Sequence, residues 1–214
     1  MERNRFDDHY IDWRFKRIQA IEKYFTKEFF KNKTLIELGA GYGDIGYHFS
    51  TLGSKVTCIE GRIDNIKYIQ ETYKNIDTIH KDLDIEKFEI ENVDIIINMG
   101  LLYHLKDPIY LLHKSCKYCN YMIIETEVVD SYNPSKIIYW IDKKEGYDQS
   151  LHEVGTRISV GMVESILTEN NFKFERLEDD SCNSGPHYYD WPIRNSGEWE
   201  SGQRKLWFCE KKEK

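Results

Sequence analysis

Residues 34–46, TLIELGAGYGDIG, constrain this chain more than any other stretch. A short apolar run ends at Leu38, glycines follow at every second position (Gly39, Gly41, Gly43), and a helix-compatible segment comes next. Glycine reaches backbone angles closed to other residues and puts no Cβ between the chain and a neighbour. A helix starting on such a turn offers unpaired N–H groups and a partial positive charge. Strand, bare turn and helix in that order open a β-α-β unit, with a ligand expected at the strand ends. Two ligand patterns overlap here. Gly41, Gly43 and Gly46 spell G-x-G-x-x-G, while Glu37, Gly39, Gly41 and Gly43 spell E-x-G-x-G-x-G. Glu37 separates them: a carboxylate at the end of the strand repels a pyrophosphate, but tolerates a zwitterionic amino acid and a sulfonium.

The rest of the chain continues the alternation. Strands are expected at 33–38, 55–60, 77–80, 93–99, 121–125, 172–177 and 204–210, with helices near 63–73, 108–116 and 159–170. Short β-rich runs alternating with helices describe an α/β three-layer sandwich. Ile11, Phe15, Ile18, Ile21, Phe25 and Phe29 recur at helical spacing, so a helix over residues 10–30 precedes the sheet. The chain reads as a single domain over 1–214. Residues 1–32 form a helical lid, and 126–157 and 178–203 are substrate-side loops, with a helical piece around 137–140. No apolar run approaches the ~20 residues that span a bilayer. MERNRFDDHYIDWRF lacks the apolar core of a signal peptide, so a cytoplasmic location without membrane contact is expected. The odd count of five cysteines suits reduced thiols. A net charge of −7 argues against attraction of the whole molecule to nucleic acid.

Three further segments follow in order: VTCIEG (56–61), HKDLD (80–84) and DIIINMGLLYHLKDP (94–108). With the glycine loop they make the chain resemble the class I S-adenosylmethionine-dependent methyltransferases. The LLYHLKDP segment also resembles tRNA wobble-uridine modifying relatives. The resemblance implies a Rossmann-like, mostly parallel seven-stranded sheet with an antiparallel last strand. It also implies S-adenosylmethionine as cofactor, S-adenosylhomocysteine as product, and in-line methyl transfer.

On this reading Glu37, Gly39, Ala40, Gly41 and Gly43 lie along the methionyl and ribose parts. Glu60, followed by Gly61, accepts both ribose hydroxyls. Asp82 takes the adenine amino group with Leu83 against the ring, and Asn98 and Met99 line the pocket through backbone groups. Tyr103 and His104 follow the fourth strand, where the methyl group belongs. His104 is the candidate base, because a histidine side chain in general titrates near ~6.5. Tyr139, Trp140, His152, His187 and Tyr188 are candidates for a substrate wall, because aromatics in turn-rich segments suit a sugar or planar group. Tyr10, Trp13 and Arg14 belong either to a lid over the cofactor, as the resemblance implies, or to a helix packed on the sheet edge with Trp13 in its apolar stripe. No metal is expected. His113-x-x-Cys116-x-x-Cys119 lacks the second ligand pair of a zinc site and reads as buried thiols, and His152-Glu153 has no partner motif.

The expected function is methyl transfer, as an O-methyltransferase, to a small molecule. The acceptor would be a hydroxyl of a sugar, a nucleotide-linked sugar or a surface-polysaccharide metabolite, and the enzyme a monomer or homodimer. The alternative is an RNA-modifying methyltransferase, which requires a basic groove; Lys31, Lys33, Lys136, Lys143 and Lys144 are its candidates. A binding module that keeps the cofactor fold without turnover is a third reading.

Overall fold

The computed structural model describes residues 8–141, 150–189 and 191–213. Helix α1 (Asp8–Phe25) precedes β1 (Thr34–Leu38), α2 (Asp44–Thr51), β2 (Lys55–Glu60), α3 (Ile63–Thr72) and β3 (Asp77–His80). Then come β4 (Val93–Met99), α4 (Pro108–Tyr118), β5 (Cys119–Glu127), β6 (Ile137–Ile141) and β7 (Val154–Ile158). Helix α5 (Val160–Glu169), β8 (Phe172–Arg176) and β9 (Arg204–Lys211) complete the chain. Seven strands form one sheet in the order β3-β2-β1-β4-β5-β9-β8. The strands from β3 to β5 pair in parallel, and β9 runs antiparallel to both β5 and β8. This is the α/β architecture expected from the sequence. The bounds of β2, β3 and β4 coincide with those read from it, because turn residues punctuate these short β-rich runs.

Side chains alternate across the strands and build a core on each face. Ile36, Ile96 and Ile124 pack with Leu111 of α4 and Val163 of α5. Leu35, Ile95 and Ile123 pack with Ile21 of α1, Phe49 of α2 and Ile69 of α3.

Two expectations are corrected. First, α1 ends at Phe25, and Thr26 takes φ 63°. Ile11 and Phe15, assigned to its apolar stripe, are 53% and 58% exposed, while Trp13, Arg17, Ala20 and Ile21 are buried. The helix rolls because its inner face holds a paired cation: Arg17 donates to Glu125 and lies 3.7 Å over the Trp13 ring. A count of apolar side chains alone cannot find such a face. Second, residues 137–140 are not helical. They belong to β6, which pairs antiparallel with β7 as a two-stranded ribbon, Tyr139 opposite Thr156. Ile-Ile-Tyr-Trp-Ile is β-branched and aromatic throughout, which favours a pleated strand once a partner is beside it.

Candidate active site

A cavity opens at the C-terminal ends of β1, β2 and β4. Gly39, φ +64°, forms its floor; a Cβ there would stand 2.8 Å from Leu101 Cδ1, so only glycine lets the two loops meet. Glu60 is buried, with Oε2 accepting from Gly41 N and Oε1 from Arg62 N, each at 2.8 Å. Burial pushes its pKa up, and the two amide bonds oppose that. Glu37 Oε2 accepts from Gly46 N at 2.8 Å and from Cys58 Sγ at 3.6 Å. Burial raises the Glu37 pKa to about 7. A Cβ on Gly46 would come within 2.7 Å of that carboxylate. The third glycine of the G-x-G-x-x-G string therefore makes room for Glu37.

Of the cofactor residues expected from sequence, Glu37, Gly39, Ala40, Gly41, Glu60, Gly61, Asp82, Leu83 and Met99 line the cavity. Gly43 and Asn98 are not among its lining residues. Gly43, φ 70°, starts α2 and packs toward Ile69. Asn98 is wholly buried, and its side-chain amide meets no hydrogen-bond partner among the described residues. Alternation along β4 carries this side chain to the face of Ile96, into the α4–α5 layer.

Asp82 Oδ2 holds His152 Nε2 at 2.7 Å, and Oδ1 accepts from Asp84 N at 3.0 Å. His152 therefore meets the expected adenine end instead of the acceptor end, and its neighbours Ser150 and Leu151 line the cavity there.

The other end lies between the turn after β4 and one face of α1. Tyr103 is buried, and its hydroxyl accepts from Arg204 Nη2 at 2.7 Å. Burial pushes the Tyr103 pKa up to about 12, so the phenol stays protonated at neutral pH. The half-buried His104 ring lies 4.1 Å from that of Tyr103. Across from them, α1 contributes Tyr10, Trp13, Arg14 and Arg17. Arg14 pairs with Asp44. Arg17 was missed in the sequence, although positions 10, 13, 14 and 17 follow the i, i+3, i+4, i+7 rule of one helix face.

The expected substrate wall is not assembled around this cavity. Tyr139, Trp140, His187 and Tyr188 are absent from its lining. His187 is buried behind Trp13, with ring centroids 3.7 Å apart. Trp140 meets Trp199 edge-on at 4.7 Å, and Tyr139 is 69% exposed. Aromatic composition marks a loop that packs something, and here much of the partner is the chain itself.

The five cysteines are buried free thiols. Cys119 Sγ donates to Ser115 O at 3.3 Å, and His113 Nδ1 meets Asn170 Nδ2 at 3.0 Å. Lys31 and Lys33 precede β1, at the end of the strands opposite the cavity, while Lys143 and Lys144 lie outside the described residues.

Fold and site together define a class I methyltransferase, and the comparisons agree. The family described as "Methyltransferase domain" matches residues 10–176. The chain belongs to it and is an S-adenosylmethionine-dependent methyltransferase. Among solved structures, the N-terminal domain of EvdMO1, determined in the presence of S-adenosylhomocysteine and D-fucose, superposes with a TM-score of 0.72 at 17% identity. That match covers 97% of this chain and 85% of the other. An S-adenosylmethionine-dependent methyltransferase from Mesorhizobium loti superposes at 0.64 with 13% identity, covering 93% of this chain and 98% of that one. The tRNA U34 carboxymethyltransferase of Dichelobacter nodosus (strain VCS1703A) is 26% identical over 152 residues, 67% of this chain. The match spans 46% of that relative, less than half of its length.

Proposed function

We propose that the protein methylates a hydroxyl of a small molecule, a sugar or a nucleotide-linked sugar of the kind used in surface polysaccharides. One observation carries this reading. The acceptor end is roofed by the chain's own Tyr10, Trp13 and Arg14, opposite Tyr103 and His104, which favours a compact ligand that fits beneath them. The D-fucose named with the EvdMO1 domain points the same way.

Bound S-adenosylmethionine supplies a methyl group already activated by its sulfonium. The protein's task is to align, desolvate and deprotonate. Glu60, which accepts from two backbone N–H groups and from the Asn65 side chain, offers its remaining acceptor capacity to the ribose hydroxyls. Asp82 and Leu83 take the adenine, and Gly39 to Gly41 let the backbone lie along the methionyl part. Glu37 contributes a buried carboxylate beneath that loop. His104 accepts the proton of the acceptor hydroxyl. Tyr103, held protonated, orients the acceptor as a hydrogen-bond donor. The working unit is a cytoplasmic monomer or homodimer; no described helix is long and apolar enough to cross a membrane.

RNA is the second reading, favoured by the Dichelobacter relative and by LLYHLKDP. The test is transfer of labelled methyl from S-adenosylmethionine to pooled nucleotide sugars and, in parallel, to bulk tRNA. Label in the sugar pool is expected. Label in tRNA alone, with binding that weakens steeply as salt rises, would replace the first reading with the second.

A further inference from the structure

Five charged side chains lie buried beside the acceptor end: Arg17, Arg157 and Arg204 against Glu125 and Glu127. Glu125 receives Arg17 Nη1 at 3.3 Å and Arg204 Nη1 at 2.8 Å. Glu127 receives Arg157 at 3.0 Å and Arg204 at 3.6 Å. Three arginines thus lie against two carboxylates, with Arg204 shared between them. Tyr103 adds no charge, because burial keeps the phenol protonated. A buried charge is tolerated when paired and costly otherwise.

Arg17 lines the cavity, and its buried Nε finds no acceptor among the described residues. Its hydrogen bond to Glu125, at 3.3 Å, uses only Nη1. Arg204 donates into the Tyr103 oxygen, which leaves the phenolic O–H available to a second acceptor. A Cβ placed on Gly100, directly after β4, would lie 3.8 Å from the Tyr103 hydroxyl, 3.9 Å from Arg17 Nη1 and 3.9 Å from the Glu125 Oε2 that Nη1 holds. A guanidinium with donors to spare and a phenol O–H thus converge at the methyl-receiving end, the donor geometry that carboxylate and phosphoryl oxygens match.

We propose that the acceptor is acidic, carrying a carboxylate or phosphoryl group close to the methylated oxygen, and that Arg17 and Tyr103 bind this group. The inference rests on the small-molecule reading above and narrows it to sugar acids and phosphorylated sugars. The competing source of an oxyanion is the methionyl carboxylate of the donor itself.

Calorimetry on the full chain saturated with S-adenosylhomocysteine separates the two. Inorganic phosphate and D-galacturonate serve as anionic probes, and D-galactose as the neutral one. Both anions are expected to bind at least about tenfold more tightly than D-galactose, the least a charge-assisted hydrogen bond should give. Arg17→Met should erase that preference and leave S-adenosylhomocysteine affinity within about threefold, which also shows that the variant folds. Arg17→Lys, which keeps the charge without the fork, should fall between. No anion preference in the wild type overturns the proposal. So does a loss of S-adenosylhomocysteine affinity of about tenfold or more in Arg17→Met with the anion titrations unchanged, since Arg17 would then hold the donor. Arg17-dependent anion binding without methylation of any sugar acid would support the anion site and overturn the sugar reading.

Discussion

The two ends of the cavity are built in opposite ways. The donor end is made mostly of short-range contacts. Glu37 meets Gly46 and Glu60 meets Arg62 and Gly41 through backbone amides, while Cys58 and the Asp82–His152 pair add side-chain contacts from farther along the chain. The acceptor end is made of residues far apart in the chain. Arg17 meets Glu125, and Arg204 meets Tyr103 and Glu125, all through side chains. Backbone donors come with the fold and need only glycines to let a ligand near them. A side-chain network needs several distant positions to agree. On the proposed function, the first end holds the methyl donor common to the class, and the second would select what is methylated.

The sharpest break of this contrast is Glu125→Ala. It leaves Arg17 and Arg204 without their shared carboxylate in a buried site, and stability should fall by ~3–5 kcal/mol in urea unfolding. A loss under about 1 kcal/mol would mean that the network is solvated and adds little to the fold.

At the donor end, stability should depend on pH through Glu37. Its folded pKa of about 7 lies above the 4.5 of an ordinary glutamate, so the folded state keeps a proton that the unfolded chain releases. Stability should then decline as pH rises from 4.5 to about 7, by at most about 3 kcal/mol, and level off above. Glu37→Gln should flatten that window, and identical slopes for variant and wild type would refute the assignment.

His104→Ala should lower turnover by about a hundredfold, the low end of a general base's contribution, while S-adenosylhomocysteine affinity holds. Unchanged turnover would remove His104 from the proton path. The smallest expected effect belongs to Glu60→Ala. Calorimetry should show S-adenosylhomocysteine binding weakened by ~1–3 kcal/mol, because two ribose hydroxyls lose their acceptor. An unaltered affinity would move the ribose elsewhere.

How far the molecule was legible follows the same division. The sheet, and the bounds of β2, β3 and β4, could be read because the strands are short β-rich runs ended by turn residues. Nine of the expected cofactor positions line the cavity because they sit at strand ends in sequence order. Gly43 was counted with the loop although it starts α2, and Asn98, given to the pocket through backbone groups, is absent from the lining while its side chain is buried. His152 was assigned to the acceptor, yet it reaches Asp82, 70 positions earlier in the chain. The stripe on α1 was drawn through Ile11 and Phe15, which face outward.

What the sequence determined by itself was the alternation of strand and helix, the glycine turn and the carboxylates closing β1 and β2. Local spacing dictates backbone geometry, and here the backbone makes the donor site. Only the tertiary structure decided which face of α1 turns inward, that residues 137–141 pair with β7, and that Arg17 shares Glu125 with Arg204. Those outcomes depend on contacts between distant segments, where one buried carboxylate makes burial of an arginine favourable, and no local pattern records that pairing.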